Sequence, residues 1–244
     1  MITGTYLLAD VPIRIESLYD QVQLMCADYR TDLEPAFTVR TTPEEIAEER
    51  RMSEEERIAE GIANVEFHDA YLETLAVYRK IALQLIPLGV LLMHGSVIAV
   101  DGEGYMFTAL SGTGKSTHVR LWRKLFKERA VMVNDDKPLV CIAADKRPLV
   151  YGTPWDGKHH LSNNISVPLR AIIALHRGEQ NEIHPISVQE AFPILLQQSY
   201  RTDEPLVTLQ AMQLLSLLSQ NVGLYSLHCN MDPEAARVAY EGIA

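Results

Sequence analysis

Short runs in which apolar and polar residues alternate open the chain: Thr5–Leu8 and Ile13–Ile15, separated by Asp10 and Pro12. A period of two puts alternate side chains on one face, so these runs predict strands at the edge of a sheet. At Thr42-Pro43-Glu44-Glu45 the texture turns helical. Thr42 can cap, Pro43 suits the first helical position, and Glu45 can reach back to close a capping box. The stretch to Glu60 is dense in Glu with a few Arg, which predicts a solvated helix or loop rather than an acidic regulatory surface. From Asp69, the residues Tyr71, Leu75, Tyr78, Ala82 and Leu85 recur at helical spacing. They predict a helix with that face on a core, closed by Pro87 and Gly89.

From Leu91 the pattern becomes strand, turn, strand. Leu91–Val100 and Tyr105–Leu110 flank Asp101-Gly102-Glu103-Gly104, a hairpin signal. A helix-like run to Lys127 follows, then strand-like Ala130–Val133, Leu139–Ala143, Val150–Gly152 and Ala171–Leu175. Ser187 with Glu190 starts a helix to about Tyr200, with Pro193 inside it. Thr208–Ser219 reads as helix, Leu224–Cys229 as strand, and Asp232-Pro233 opens a last helix. These elements predict a mixed α/β protein with much antiparallel sheet. The expected division is an N-terminal subdomain, 1–88, packed on a core, 89–244, that carries the chemistry.

Composition narrows the classes. A chain of 244 residues can bury a core without staples, and its net charge of −10 disfavours nucleic acid or an anionic membrane as partner. Cys26, Cys141 and Cys229 lie far apart and form no CxxC pair, which fits a reducing cytosol and neither a zinc site nor a disulfide framework. The N-terminus shows no signal-peptide pattern. The most apolar run, Ile81–Met93, is broken by Gln84, Pro87 and Gly89 and is too short to span a bilayer. A cytoplasmic protein is expected, and self-association is compatible with it.

The chemistry concentrates in Tyr105–His118. An apolar alternating run is followed by Ser111, Gly112, Thr113, Gly114, Lys115, Ser116 and Thr117, and then by the helix-like run. A strand, a glycine-bearing turn and a helix start ending in Gly-Lys-Ser make a phosphate-binding loop. Backbone N–H groups and the helix N-terminus attract the phosphates, the lysine reaches the outer ones, and the serine hydroxyl can ligate Mg²⁺. Ala109 stands where the strict G-x-x-x-x-G-K-[ST] pattern has its first glycine; only a left-handed backbone position would require glycine there.

Asp135 and Asp136 end an apolar strand about twenty residues after the loop, where phosphate-loop proteins place a metal-binding acid. Two adjacent acids can divide the work, Asp136 holding Mg²⁺ and Asp135 taking a proton from an attacking hydroxyl. The bland alternative is a turn with two exposed aspartates. His94 sits inside an apolar strand, where a histidine is usually a satisfied core residue, but Gly95 beside it allows close backbone approach. Lys158, in the Tyr151–His160 loop, could add positive charge at a transferring phosphoryl group, or the loop could be a surface feature over Trp155.

The segment Leu110–Thr117 resembles the loop of ATP-dependent phosphoenolpyruvate carboxykinase. The order of parts is similar to that of HPr kinase/phosphorylase and its small bacterial homologues: a strand histidine before the loop (His94-Gly95) and an Asp-Asp pair after it (Asp135-Asp136). The phrases HGS, SGTGKSTH, NDDKP and GTPW-x-GK carry the likeness, over roughly residues 91–160. The resemblance implies the carboxykinase nucleotide-binding fold, with a mixed, largely antiparallel sheet. It also implies a metal-associated role for His94 and base or metal roles for Asp135 and Asp136. The leading expectation is an ATP- and Mg²⁺-dependent kinase acting on a hydroxyl of a small molecule, peptide or protein serine. A nucleotide-binding regulator or scaffold with little catalysis is the alternative, and chain length disfavours coupled decarboxylation.

Overall fold

Tyr105, Phe107, Ala171 and Ile173 alternate along their strands with Met106 and Ile172, and the two sets are buried in different hydrophobic clusters. That alternation puts a helical layer on each face of a sheet. The computed structural model describes residues 1–60, 66–110, 112–142, 147–200, 202 and 204–243. Ser111, expected in the phosphate-binding turn, and Ala143, expected to end a strand, lie outside the described residues. The chain forms two compact units, Met1–Gln84 and Leu85–Ala244.

In the first unit, β1 (Ile2–Leu8) and β2 (Val11–Ser17) pair as a hairpin turning at Ala9 and Asp10, and β3 (Phe37–Arg40) joins β2 in parallel. These strands form a three-stranded sheet of their own rather than the edge of a larger one, with β2 at its centre. Around it lie α1 (Gln21–Met25), α2 (Pro43–Glu60) and α3 (Asp69–Leu85). Thr42 and Glu45 close the expected capping box of α2: Thr42 N–H donates to Glu45 Oε2 at 3.0 Å, and Glu45 N–H to Thr42 Oγ1 at 3.4 Å. The acidic stretch is therefore helix, with Arg51 bridging Glu48 and Glu55. On α3 the buried surface is wider than the predicted stripe. Tyr71 is exposed, whereas Leu72, Glu73, Ala76, Val77, Tyr78 and Ile81 are buried. Glu73 explains the shift: its carboxylate accepts the N–H groups of Leu18 and Tyr19 and the Thr41 hydroxyl, so a polar position becomes interior.

The second unit contains β4 (Val90–Leu92), β5 (Ser96–Val100), β6 (Glu103–Thr108), α4 (Lys115–Phe126), β7 (Ala130–Asn134), β8 (Leu139–Cys141) and β9 (Leu149–Tyr151). The chain continues through β10 (Ser166–Arg177), β11 (Glu182–Pro185), α5 (Val188–Gln198), α6 (Pro205–Asn221), β12 (Gly223–Cys229) and α7 (Glu234–Glu241). The strand order is β4-β8-β9-β10-β6-β5-β7, with β12 beside β10 and β11 beside β12. β10 runs parallel to β6 and β12, while β4, β8, β9, β5 and β7 pair antiparallel, so the unit is mixed α/β. Asp101 and Gly102, both at positive φ, make the two-residue turn between β5 and β6.

The single strand expected over Leu91–Val100 is two strands. Between β4 and β5, Met93 N–H bonds to Pro138 O, His94 N–H to Gln198 O and Gly95 N–H to Asp136 O, so three successive residues take three different partners. A Cβ at Gly95 would lie 3.0 Å from Phe107 O, and glycine is what permits this crossing.

Helix α4 carries its apolar face into a cluster of Phe107, His118, Trp122, Phe126 and Tyr240 rings. His118 is a core residue here. Its Nε2 accepts from Trp122 Nε1 at 3.0 Å, and burial pushes its pKa down to about 4. Ser187 and Glu190 form the expected capping box of α5. Among the described residues, no helix is long and apolar enough to cross a membrane.

Candidate functional site

β6 and α4 meet at a turn whose shape is set by two glycines. Gly112 has φ +73° and Gly114 φ +126°, with open space where a Cβ would be. Glycine is needed at both for backbone conformation rather than room. Ala109 is buried and is not among the residues with positive φ, so an alanine fits there. Thr113 N–H and its hydroxyl both donate to Leu110 O, at 3.2 and 2.8 Å. His118 N–H makes the bond to Gly114 O that opens α4, so the earlier N–H groups of the helix have no intrahelical acceptor. Ser116 and Thr117 lie in this first turn, half-buried.

Lys115 folds back over the turn and donates from Nζ to Ala109 O at 2.9 Å. Burial lowers its pKa, and the charges of Asp136 and Asp135 pull the other way. Asp135 and Asp136 follow the end of β7, which lies next to β5. Asp135 is buried, and burial raises its pKa against the opposing influence of the Ser96 and Ser116 hydroxyls and of His159. Its Oδ1 has no hydrogen-bond partner among the described residues. Asp136 is half-exposed: burial pushes its pKa up, but the hydrogen bond with His94 and the charges of Lys137, His94 and Lys115 outweigh this and lower it. His94 Nε2 lies 3.4 Å from Asp136 Oδ1, and the histidine side chain is 37% exposed. The crossing between β4 and β5 thus delivers His94 to the same place as Asp136, Asp135, Lys115 and Ser116.

Two features hold the acid pair in place, and neither was assigned a role from sequence. Asn134 is fully buried; its Oδ1 accepts the N–H groups of Asp136 and Lys137, both at 2.8 Å. Its Nδ2 donates to Thr153 O and Thr153 Oγ1, both at 3.0 Å. One amide side chain therefore ties the Asp-Asp turn to the loop after β9. Its signal in the sequence was position alone, directly before the pair. In that loop, Gly157 (φ +70°) packs against Asp136, since a Cβ there would lie 3.0 Å from Asp136 Cβ. Trp155 is buried beneath the loop. Lys158 sits on the exposed turn Gly157–His159 and makes no hydrogen bond or ion pair with the described residues. Its loop lies against Asp136 through Gly157.

Replacing Asn134 by alanine would remove the acceptor of the Asp136 and Lys137 N–H groups and the donor to Thr153 O and Oγ1. The expected cost is about 2–3 kcal/mol, read as a lower urea midpoint. An unchanged midpoint would show that the side chain is dispensable.

No family model matches the chain, and no curated protein matches it. Among solved structures, a similar one is the HPr(Ser) kinase/phosphatase from Coxiella burnetii, at 13% identity and a TM-score of 0.33, over 62% of this chain and 87% of that chain.

Proposed function

We propose that the protein is an ATP-dependent phosphotransferase that moves the γ-phosphoryl group of ATP to an alcohol oxygen, in the manner of the HPr kinase-like proteins its motifs resemble. The observation that carries this reading is the convergence of Lys115, Ser116, Asp135 and the His94–Asp136 pair beside a glycine turn at a helix N-terminus. Phosphoryl transfer needs little else from a protein: donors for a dispersed negative charge, a metal position, and a proton acceptor. On this reading the sheet around β5, β6 and β10 is a carboxykinase-like nucleotide-binding core.

The N–H groups at the start of α4 and the Lys115 ammonium would bind the β- and γ-phosphates. Among the described residues no three His, Cys, Asp or Glu side chains gather into a metal cage. Mg²⁺ needs none, since it keeps waters and takes one or two protein oxygens plus phosphate oxygens. The Ser116 hydroxyl and the Asp136 carboxylate are donors of that kind, with His94 orienting Asp136. When bound, Mg²⁺ supplies positive charge against the developing charge of the phosphates.

Asp135 Oδ1, buried and without a donor among the described residues, is suited to accept the O–H of an acceptor alcohol. As the alcohol oxygen bonds to the γ-phosphorus, its proton passes to Asp135 and the bond to the β–γ bridging oxygen breaks. ADP leaves with that oxygen. Labelled ATP with Mg²⁺ and panels of small alcohols and serine peptides provides the test. Label on an acceptor hydroxyl is the expected result. ATP binding with no transfer to any of them would favour a nucleotide-dependent regulator instead.

A further inference from the structure

β10 ends at Arg177, beside the turn that β6 feeds, because the two strands run parallel and in register as far as Ala174 opposite Thr108. From there the Arg177 guanidinium reaches the turn from outside the acid–lysine cluster. Its Nη2 donates to Gly112 O at 2.6 Å and its Nε to Thr113 O at 3.2 Å. Two consecutive carbonyls held by one planar fork is a geometry that arginine makes and lysine does not.

The consequence follows from peptide planarity. In a trans peptide the C=O and the next N–H point in opposite directions. A Thr113 carbonyl drawn toward Arg177 therefore turns the Gly114 N–H away from it. The Thr113 N–H is already engaged by Leu110 O, and the next N–H along the turn, that of Gly114, has no hydrogen-bond partner among the described residues. Glycines flank Thr113 on both sides, at φ +73° and +126°, and glycine gives little resistance to rotation of the peptide plane between them. A charged donor on the carbonyl also polarises the peptide unit and strengthens its N–H as a donor.

We propose that Arg177 is the positioning residue of the phosphate-binding turn: it locks the Thr113–Gly114 peptide with its N–H facing the nucleotide phosphates. This rests on the phosphotransferase reading for its ligand, but the lock is a property of the ligand-free protein. A guanidinium that is merely a solvated surface group would leave both loop dynamics and phosphate affinity unchanged.

The experiment uses the full chain and its Arg177→Ala, Arg177→Met and Arg177→Lys variants, with melting temperature as the folding control. The Met variant keeps the apolar stem and loses the donors. Amide hydrogen exchange of the 110–118 segment is measured without ligand, and binding of Mg²⁺–ATP and of tripolyphosphate by calorimetry. We expect faster exchange at Gly114 and Lys115 in the Ala and Met variants, and about tenfold weaker binding of both ligands. The Lys variant, with one donor in place of a fork, should fall between. Unchanged exchange in folded Ala and Met variants overturns the lock. Faster exchange with unchanged affinity overturns its role in binding. Wild-type protein that binds neither ligand fails the phosphotransferase reading and the affinity half of this proposal with it, while exchange still decides the lock.

Discussion

Lys115→Ala is expected to weaken Mg²⁺–ATP binding about 100-fold or more, measured by calorimetry on folded protein. Lys115 is half-buried and reaches over the turn to Ala109 O, with Asp135 and Asp136 near enough to act on its charge. In the ligand-free protein its ammonium partly offsets two carboxylates. A bound triphosphate brings further negative charge to the same place, and without Lys115 its repulsion by the aspartates would be less well offset. Charge-assisted bonds from a part-buried ammonium are worth more than surface pairs, which is why the effect should be large. Equal affinity in wild type and variant would remove the phosphate-binding reading of the turn.

The second large effect is expected at the acid pair, and it separates chemistry from binding. Asp135→Asn should lower kcat by about 10²–10⁴-fold with ATP affinity nearly unchanged, because a proton acceptor acts only as the alcohol attacks. Asp136→Asn should instead raise the Mg²⁺ concentration needed for activity, since a carboxamide is a poor ligand for a hard dication. His94 lies against Asp136, not Asp135, in keeping with that division. Steady-state kinetics of both variants across a Mg²⁺ series would resolve it. Loss of nucleotide affinity alone in both would make the pair a metal site and move the base elsewhere. Exchanged phenotypes would keep the site and reverse the two roles.

The site is built by a strand break more than by any one motif. β4 and β5 are expected as one continuous strand from sequence, because Leu91–Met93 and Val97–Val100 read as one apolar strand with His94, Gly95 and Ser96 inside it. The break depends on hydrogen-bond partners 41 to 104 residues away, Asp136, Pro138 and Gln198, which local pattern cannot report. Asn134 and Arg177 were invisible as anchors for the same reason. Asn134 bonds locally to Asp136 and Lys137, but its other partner Thr153 is 19 residues away, and the Gly112–Thr113 carbonyls are 64 to 65 residues from Arg177.

Local sequence determined what short-range physics controls. The capping boxes at Thr42/Glu45 and Ser187/Glu190, the Asp101-Gly102 turn, the strand alternation of Tyr105–Thr108 and the start of α4 after Gly114 all involve groups within a few residues of each other. Residue chemistry likewise marked His94, Lys115, Ser116, Asp135 and Asp136 as candidates. Tertiary structure decided which of two histidines in apolar surroundings is sealed and which is open. His118 is enclosed by aromatic rings and bonded to Trp122, while His94 emerges at the sheet crossing beside a carboxylate. It also decided that the first strands form their own sheet, that the Glu73 side of α3 is interior, and that Lys158 stays exposed. Each of these outcomes turns on desolvation and on pairing with distant backbone, and both exist only once the chain has folded.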